Sequence, residues 1–264
     1  MNKERFTHYL NKIRYDYLMS IQWWLSGAIA PRRTVRSRNL RFTLPCNNWI
    51  THHRWKNYNA KEPMTLDWID TVVKDGDLFF DIGANIGVYS LYAAFRHPNL
   101  KGIAFEPEYS NLHLLKENVM KNNLEKRVEV FGVALGNKVG LSYLHIQDLQ
   151  PGSAKHTASP KLLKKTVEKC PVLWREGVCT YTVDLFCREK NLKPNCIKLD
   201  VDGNEPEILE GARETLLSPE LRSVLIESSD IDSVQNFCEQ VLRDSGFRRA
   251  RHDPKERLEM WVRK

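Results

Sequence analysis

The chain has 264 residues, of which 42% are hydrophobic, and it contains an ordinary number of glycines (13) and prolines (12). This composition supports one α/β domain with a small additional segment, and it excludes a collagen-like or largely disordered chain. The net charge is +7, but residues 1–60 hold 11 Lys/Arg against 2 Asp/Glu, a balance of +9 that leaves −2 for the remaining residues.

The N-terminal segment carries an amphipathic pattern. Apolar residues recur at helical spacing between Phe6 and Ala28, and Pro31 ends the pattern. The apolar stretch is shorter than the roughly 20 residues that span a bilayer. The helix either lies on the inner face of a membrane, through peripheral contact of residues 6–41, or packs on the domain or on a second subunit. We predict a basic N-terminal helical extension over residues 1–60 and a Rossmann-like domain over residues 61–264.

The arginines indicate which partners to expect, and the cysteines indicate the compartment. Five arginines lie close together near the end of the extension: Arg32, Arg33, Arg36, Arg38 and Arg41. Such a run is typical of a surface that meets anionic lipid, nucleic acid or an acidic glycan, or of a face that is only solvated. The six cysteines form no C-x-x-C pair and no zinc-finger spacing with histidine. This usage is typical of reduced thiols in a cytoplasmic protein.

Residues 78–96 predict a strand, a tight turn and a helix. Leu78–Ile82 is a short apolar run, residues 83–87 form a glycine-containing turn, and residues 88–96 return to helical character. The turn reads G-x-N-x-G and lacks the middle glycine that brings a pyrophosphate close in dinucleotide sites. Asp81 would repel a pyrophosphate but suits the ammonium of a methionine moiety, so the loop favours S-adenosylmethionine over NAD. The candidate cofactor residues here are Asp81, Gly83, Ala84, Asn85 and Gly87.

The next two strands complete the predicted cofactor site. The second strand, residues 102–105, ends at Glu106, which lies 19 positions after Gly87. An acid at this point is placed to accept hydrogen bonds from the ribose hydroxyls of a nucleotide cofactor. Residues 128–134 read as the third strand and its end, and the backbone at Val133 and Ala134 is expected to flank the adenine.

The motifs together resemble a known family. The stretches DIGANIGVYS, AFEP, GVALGN and KLDVDGNEPEILEGA are similar to those of FkbM-like methyltransferases, and the resemblance covers roughly residues 55–264. It implies the α/β class I methyltransferase Rossmann-like fold, with a seven-stranded, mostly parallel sheet and a final antiparallel strand. It also implies S-adenosylmethionine as cofactor, lined by Asp81, Gly83, Asn85 and Glu106. The implied reaction is methyl transfer to a hydroxyl of a sugar in a glycan, glycoconjugate or secondary metabolite.

The fourth predicted strand carries the candidate catalytic residues. Residues 196–200 read as this strand, and open α/β sheets bind ligands at such carboxyl ends. Asp200, Asp202 and Glu205 are therefore expected near the transferred methyl. The family often has Glu where this chain has Asp202, which shortens the acid by one methylene.

Three roles are open for these acids. A carboxylate can act as the base, two or three can hold a divalent cation that acidifies the hydroxyl, or they can only cap the next helix and hold the loop. His145 and His156 are further base candidates in the polar segment over residues 147–180 or next to it. Glu227, at the end of the fifth strand, is expected to line the acceptor pocket.

Two other functions compete with this interpretation. The chain could be a cofactor-binding or membrane-associated module without catalysis. An RNA methyltransferase is disfavoured, because residues 61–264 carry a balance of −2 and contain no N/D-P-P-Y/F motif. We expect a small-molecule or glycan acceptor and no specific nucleic acid, and the oligomeric state is open, a homodimer included.

Overall fold

The structure, a computed structural model, describes residues 17–18, 21, 31–154, 156 and 172–264. The helix expected between Phe6 and Ala28 lies outside these residues except for Tyr17, Leu18 and Ile21, which are helical and exposed. Within the described ranges, no helix has the length and apolar character needed to cross a bilayer.

The chain alternates between strands and helices through most of its length. The strands are β1 (Arg32–Ser37), β2 (Leu40–Pro45), β3 (Leu78–Ile82), β4 (Lys101–Phe105), β5 (Val128–Phe131), β6 (Ala134–Leu135), β7 (Gly140–Ile146), β8 (Trp174–Tyr181), β9 (Cys196–Leu199), β10 (Ser223–Glu227), β11 (Phe247–Asp253) and β12 (Leu258–Arg263). The helices are α1 (Trp49–Lys56), α2 (Tyr58–Lys61), α3 (Pro63–Thr71), α4 (Val88–Arg96), α5 (Tyr109–Lys121), α6 (Val183–Lys190), α7 (Glu205–Glu210), α8 (Arg213–Leu217) and α9 (Asp232–Asp244).

A seven-stranded sheet with the order β5-β4-β3-β9-β10-β12-β11 forms the centre of the protein. The first five strands are mutually parallel, and β12 runs antiparallel to both of its neighbours. The predicted sheet with its late antiparallel strand is therefore confirmed. The parallel strands are short apolar runs because helices cover both faces of the sheet.

Successive residues of β3 show how the two faces are built. Phe79 packs into the cluster beneath α3, α4 and α5, and Phe80 packs into the cluster beneath α6, α7, α8 and α9. Both side chains are fully buried. This alternation is the period-two geometry of a strand, and it places ligand-binding loops at the carboxyl edge of the sheet, between the two helical layers.

The segment before the central sheet corrects the predicted domain boundary. Residues 32–45 form an antiparallel hairpin of β1 and β2 and not a helix. Val35, Phe42 and Leu44 alternate with polar residues, are buried, and belong to the same core cluster as α4. The arginines between them hid this strand-like alternation. Packing does not break at residue 60, so residues 31–60 are part of the folded domain.

A second, three-stranded sheet has the order β6-β8-β7 and was not predicted. The expected third strand, residues 128–134, leaves the central sheet after Phe131, and Ala134 instead pairs with Thr180 of β8. The helical stretch that follows β9 is divided into α7 and α8 at Gly211. A Cβ on Gly211 would lie 2.1 Å from the carbonyl oxygen of Gly136, so the chains cross there too closely for a regular helix with a side chain.

Candidate active site

A cavity of about 330 Å³ lies at the carboxyl ends of β3, β4, β9 and β10. Most of the predicted site residues line it: Gly83, Ala84, Asn85, Glu106, Val133, Ala134, Asp200, Asp202 and Glu227. Three other predicted residues, Asp81, Gly87 and Glu205, do not line this cavity. The structure therefore brings one set of residues to the cavity wall and leaves the other set behind it.

Gly83 is required by a close approach between two loops. Its φ is +80°, and a Cβ at this position would lie 1.9 Å from the carbonyl oxygen of Asp200. The N–H groups of Gly83 and Ala84 both donate to the carbonyl oxygen of Phe105, at 3.0 Å each. The first turn of the predicted cofactor loop is thus pressed against β4 and the β9 loop, with no space for a side chain.

Gly87 serves packing and not the cavity wall. It precedes α4 in the left-handed region at φ +81°, and a Cβ there would lie 2.3 Å from Cδ1 of Leu115. The second glycine of the motif therefore allows α4 to begin close to α5.

Glu106 and Asn85 connect the loop to the second strand of the nucleotide-binding unit. The backbone N–H of Asn85 donates to Glu106 Oε2 at 2.8 Å, and that of Glu108 donates to Oε1 at 2.9 Å. Burial raises the pKa of Glu106 to about 8, although both backbone hydrogen bonds favour the ionised form. Its carboxyl group is fixed in place at the cavity wall, as recognition of a ribose requires.

Asp81 lies behind this wall. Ser90 Oγ donates to Asp81 Oδ2 at 2.5 Å, and Asp81 Oδ1 is buried without a hydrogen-bond partner among the described residues. Burial raises the pKa of Asp81, and the nearby Lys198 ammonium opposes that rise. A direct contact of Asp81 with the methionine ammonium stays a prediction.

Lys198, Asp200 and Glu227 form a charged cluster at the ends of β9 and β10. The buried Lys198 places its Nζ 2.8 Å from Asp200 Oδ2 and 5.1 Å from the centre of the Tyr89 ring. Burial alone would lower the pKa of Lys198, but the carboxylates of Asp200 and Asp81 raise it well above its usual value. The lysine is therefore a permanent positive charge beside the cavity.

The pKa values of the two carboxyl groups in this cluster, Asp200 and Glu227, are shifted in opposite directions. Burial disfavours the charged form of Asp200, but the Lys198 ammonium holds the pKa of Asp200 below its usual value. Burial and then the charge of Asp200 raise the pKa of Glu227. Asp200 thus faces the cavity ionised, while Glu227 carries the proton.

Asp202 and Glu205 are separated by the turn that joins β9 to α7. Asp202 is exposed at the cavity and adopts φ +53°. Glu205 is buried, and its Oε1 accepts the backbone N–H groups of Val201 at 3.1 Å and Gly203 at 3.2 Å. Burial raises the pKa of Glu205 to about 7. These bonds favour the loop-holding role for Glu205 among the three that the sequence left open.

A divalent cation finds no site here. No group of three His, Cys, Asp or Glu residues in the described ranges has the geometry to hold a metal ion. Asp200 is committed to Lys198 and Glu205 to backbone donors. The donor set does not fit the divalent cation considered from the sequence.

The two histidine candidates lie in different places, one at the cavity and one away from it. His156 lines the cavity, and its Nε2 lies 2.9 Å from Ser153 Oγ. Burial lowers the pKa of His156, which keeps its ring neutral. His145 belongs to β7 and does not line the cavity.

Several cavity residues were missed from the sequence. Arg54, Lys61 and Glu62 line the cavity but come from the segment that was assigned to a separate extension or to its boundary. Tyr89 lies in the first turn of α4 and also lines the cavity. The sequence did contain a signal for Lys198, because a lysine within a buried run such as Cys196–Leu199 is rare unless a charged partner accompanies it.

The sheet order, the single reversed strand and the glycine turn followed by an acid at the second strand define a class I, S-adenosylmethionine-dependent methyltransferase. Residues 81–249 match the methyltransferase FkbM domain. The chain belongs to this FkbM methyltransferase family, which confirms the resemblance seen in its motifs. The cavity fits the cofactor: Gly83, Ala84 and Asn85 of the glycine loop line it, and backbone hydrogen bonds hold the Glu106 carboxyl group at its wall.

Named relatives agree with this assignment. The chain is 26% identical over 195 residues to the 31-O-demethyl-FK506 methyltransferase FkbM of Streptomyces tacrolimicus, covering 66% of this chain and 74% of that protein. It is 27% identical over 187 residues to the methyltransferase sdnD of Sordaria araneosa, covering 63% and 72%. A SAM-dependent methyltransferase structure from Streptococcus mutans aligns with a TM-score of 0.51 at 9% identity, covering 88% of this chain and 55% of that one, and shows a shared fold.

Proposed function

We propose that the protein is an O-methyltransferase that methylates a hydroxyl of a sugar in a glycan, glycoconjugate or secondary metabolite. The observation that carries the proposal is the ionised Asp200 at the cavity wall, held by Lys198 at 2.8 Å. When bound, the cofactor supplies an electrophilic methyl group on its sulfonium. The acceptor oxygen must meet that methyl in line and release its proton as the new bond forms.

Asp200 is the group placed to receive that proton. Its side chain is 28% exposed, so it is accessible from the cavity, whereas Lys198 behind it is 2% exposed. An acceptor hydroxyl donates a hydrogen bond to the Asp200 carboxylate and is oriented by it. As the oxygen takes the methyl group, its proton passes to Asp200. Lys198 keeps Asp200 ionised beforehand and fixes the direction of the carboxylate.

The remaining wall supports a polyhydroxylated acceptor. Further charged side chains line the same cavity as Asp200: Lys61, Glu62, Asp202, Glu227, Lys255 and Glu256. Carboxylates accept and ammonium groups donate hydrogen bonds, so together they suit several neighbouring hydroxyls. The name of the Streptomyces relative, 31-O-demethyl-FK506 methyltransferase, specifies an oxygen as its methylated atom, which also supports a hydroxyl acceptor.

The test is transfer of a radiolabelled methyl group from S-adenosylmethionine to fractionated cell-envelope glycans and secondary metabolites. We expect a labelled methyl ether that survives alkaline hydrolysis, and loss of transfer in an Asp200→Asn variant. A labelled amine or ester would contradict the proposal. If no fraction is labelled by a protein that binds the cofactor, the non-catalytic module becomes the better interpretation.

A further inference from the structure

Arg54 is a cavity cation with an unmet charge. It lies on α1, and its Nε donates to the carbonyl oxygen of Gly152 at 2.7 Å. Among the residues that the structure describes, no carboxylate lies within 4.0 Å of its guanidinium. Lys61 and Lys198, two other cations of the cavity, are paired with Glu62 at 2.5 Å and Asp200 at 2.8 Å.

Such an arrangement is costly unless a ligand completes it. Burial lowers the pKa of Arg54, while Tyr89 and the carboxylates of Glu62 and Asp200 raise it from a distance. A partly buried guanidinium with unused donors favours a planar, bidentate anion. The missing partner is thus a carboxylate or a group of the same shape.

The position of Arg54 indicates which carboxylate this is. Gly152 and Ser153 accept hydrogen bonds through successive carbonyl oxygens, the first from Arg54 and the second from Asn85 Nδ2 at 2.6 Å. Asn111 Oδ1 fixes the same turn by accepting the N–H of Gly152 at 2.7 Å. The guanidinium is therefore held beside the loop before α4, the end of the nucleotide site that receives the part of the cofactor beyond its ribose.

We infer that Arg54 binds the α-carboxylate of the cofactor's methionine moiety. The inference rests on the assignment as an S-adenosylmethionine-dependent methyltransferase and not on the identity of the acceptor. Arg54 closes the amino-acid end of the site from α1, and its charge also favours the ionised form of Glu106. The segment before the central sheet thereby contributes a binding residue to the cofactor site.

The test measures binding by calorimetry with two ligands. S-adenosylhomocysteine carries the carboxylate, and its decarboxylated analogue S-adenosyl-3-thiopropylamine differs only by its absence. We expect Arg54→Gln to weaken binding of S-adenosylhomocysteine about tenfold or more, on the scale of a lost charge-assisted hydrogen bond. Binding of the decarboxylated analogue should change less than twofold. Arg54→Lys should recover part of the loss, and the exposed Arg36→Gln serves as the matched control.

The outcomes are separable. Unchanged affinity of Arg54→Gln for S-adenosylhomocysteine overturns the inference, as does an equal loss for both ligands. If the variant binds the cofactor normally but shows a raised KM for an acidic acceptor, the carboxylate belongs to the acceptor and the inference is wrong. If the unaltered protein binds neither adenosyl compound, the methyltransferase assignment itself fails.

Discussion

The two halves of the cavity are built by different means. At the cofactor half, Gly83, Asn85 and Glu106 are fixed by backbone hydrogen bonds and by the absence of a Cβ. At the acceptor half, Lys198 and Asp200 are fixed by charge. We call the cofactor half the geometric half, because the space around its residues limits which substitutions it can accept. We call the acceptor half the electrostatic half, because its charge depends on which of its carboxyl groups carry a proton.

The largest expected effect comes from Gly83→Ala, which disrupts the geometric half. A Cβ there would lie 1.9 Å from the Asp200 carbonyl oxygen at φ +80°. We expect binding of S-adenosylhomocysteine to become undetectable and the free energy of unfolding to fall by about 2–4 kcal/mol, from overpacking and backbone strain. Calorimetry and urea denaturation measure the two effects.

Two other glycines distinguish the effect of backbone strain from the effect of overpacking. Gly76 has φ +86° but open space around its Cβ position, so Gly76→Ala should cost only about 1 kcal/mol, the strain of a positive φ. Gly177 has open space and no positive φ, so Gly177→Ala should leave stability unchanged. If Gly83→Ala resembles Gly76→Ala, close approach to Asp200 is not what requires the glycine.

Asp200→Asn tests the electrostatic half. The variant keeps the shape of the side chain but removes the acceptor of the proton, and loss of such a group lowers kcat by about 10²–10⁴-fold. We expect the affinity for S-adenosylhomocysteine to change less than threefold. A parallel loss of cofactor affinity would show that the halves are not separable.

This difference also explains what could be read from the sequence. The bounds of Leu78–Ile82 and Val88–Arg96 were predicted to the residue, since each is a continuous apolar or helical pattern with turn residues at its ends. The glycine loop and Glu106 form a local motif, so most of the geometric half was predicted as well.

The electrostatic half depends on contacts that no local pattern encodes. Arg54 and Glu62 reach the cavity only because the hairpin places α1 and α2 there, and arginines conceal the hairpin's alternation. Ala134 of β6 pairs with Thr180 of β8, which lies 46 residues later in the chain. Because the sequence does not show this pairing, the third strand was predicted to continue too far. Asp200 was identified as an acid, but its charge state is set by Lys198 and Glu227, which only the fold brings together.

Glu106 should make the cofactor half depend on pH. Burial raises its pKa to about 8, and ribose hydroxyls that donate to its carboxylate select the ionised form. Affinity should therefore rise with pH, by about 25-fold between pH 6.5 and pH 8.5, and level off above the pKa, with proton release on binding. Calorimetry with 5′-methylthioadenosine, which lacks the amino-acid part of the cofactor, measures the pH dependence of binding at the ribose alone. Glu106→Gln should abolish the dependence; a pH response that survives in this variant would assign it to another group.

The smallest effect is expected from Glu205→Gln, which tests whether this acid belongs to the electrostatic half at all. The amide oxygen of Gln can still accept the N–H groups of Val201 and Gly203, the two bonds that Glu205 makes. Because burial already raises the pKa of Glu205 to about 7, removal of its charge should leave kcat within about threefold. Glu205→Ala, which removes the acceptor, should lower the free energy of unfolding by about 1–3 kcal/mol. A Gln variant as inactive as Asp200→Asn would instead place Glu205 among the groups that handle the acceptor's proton.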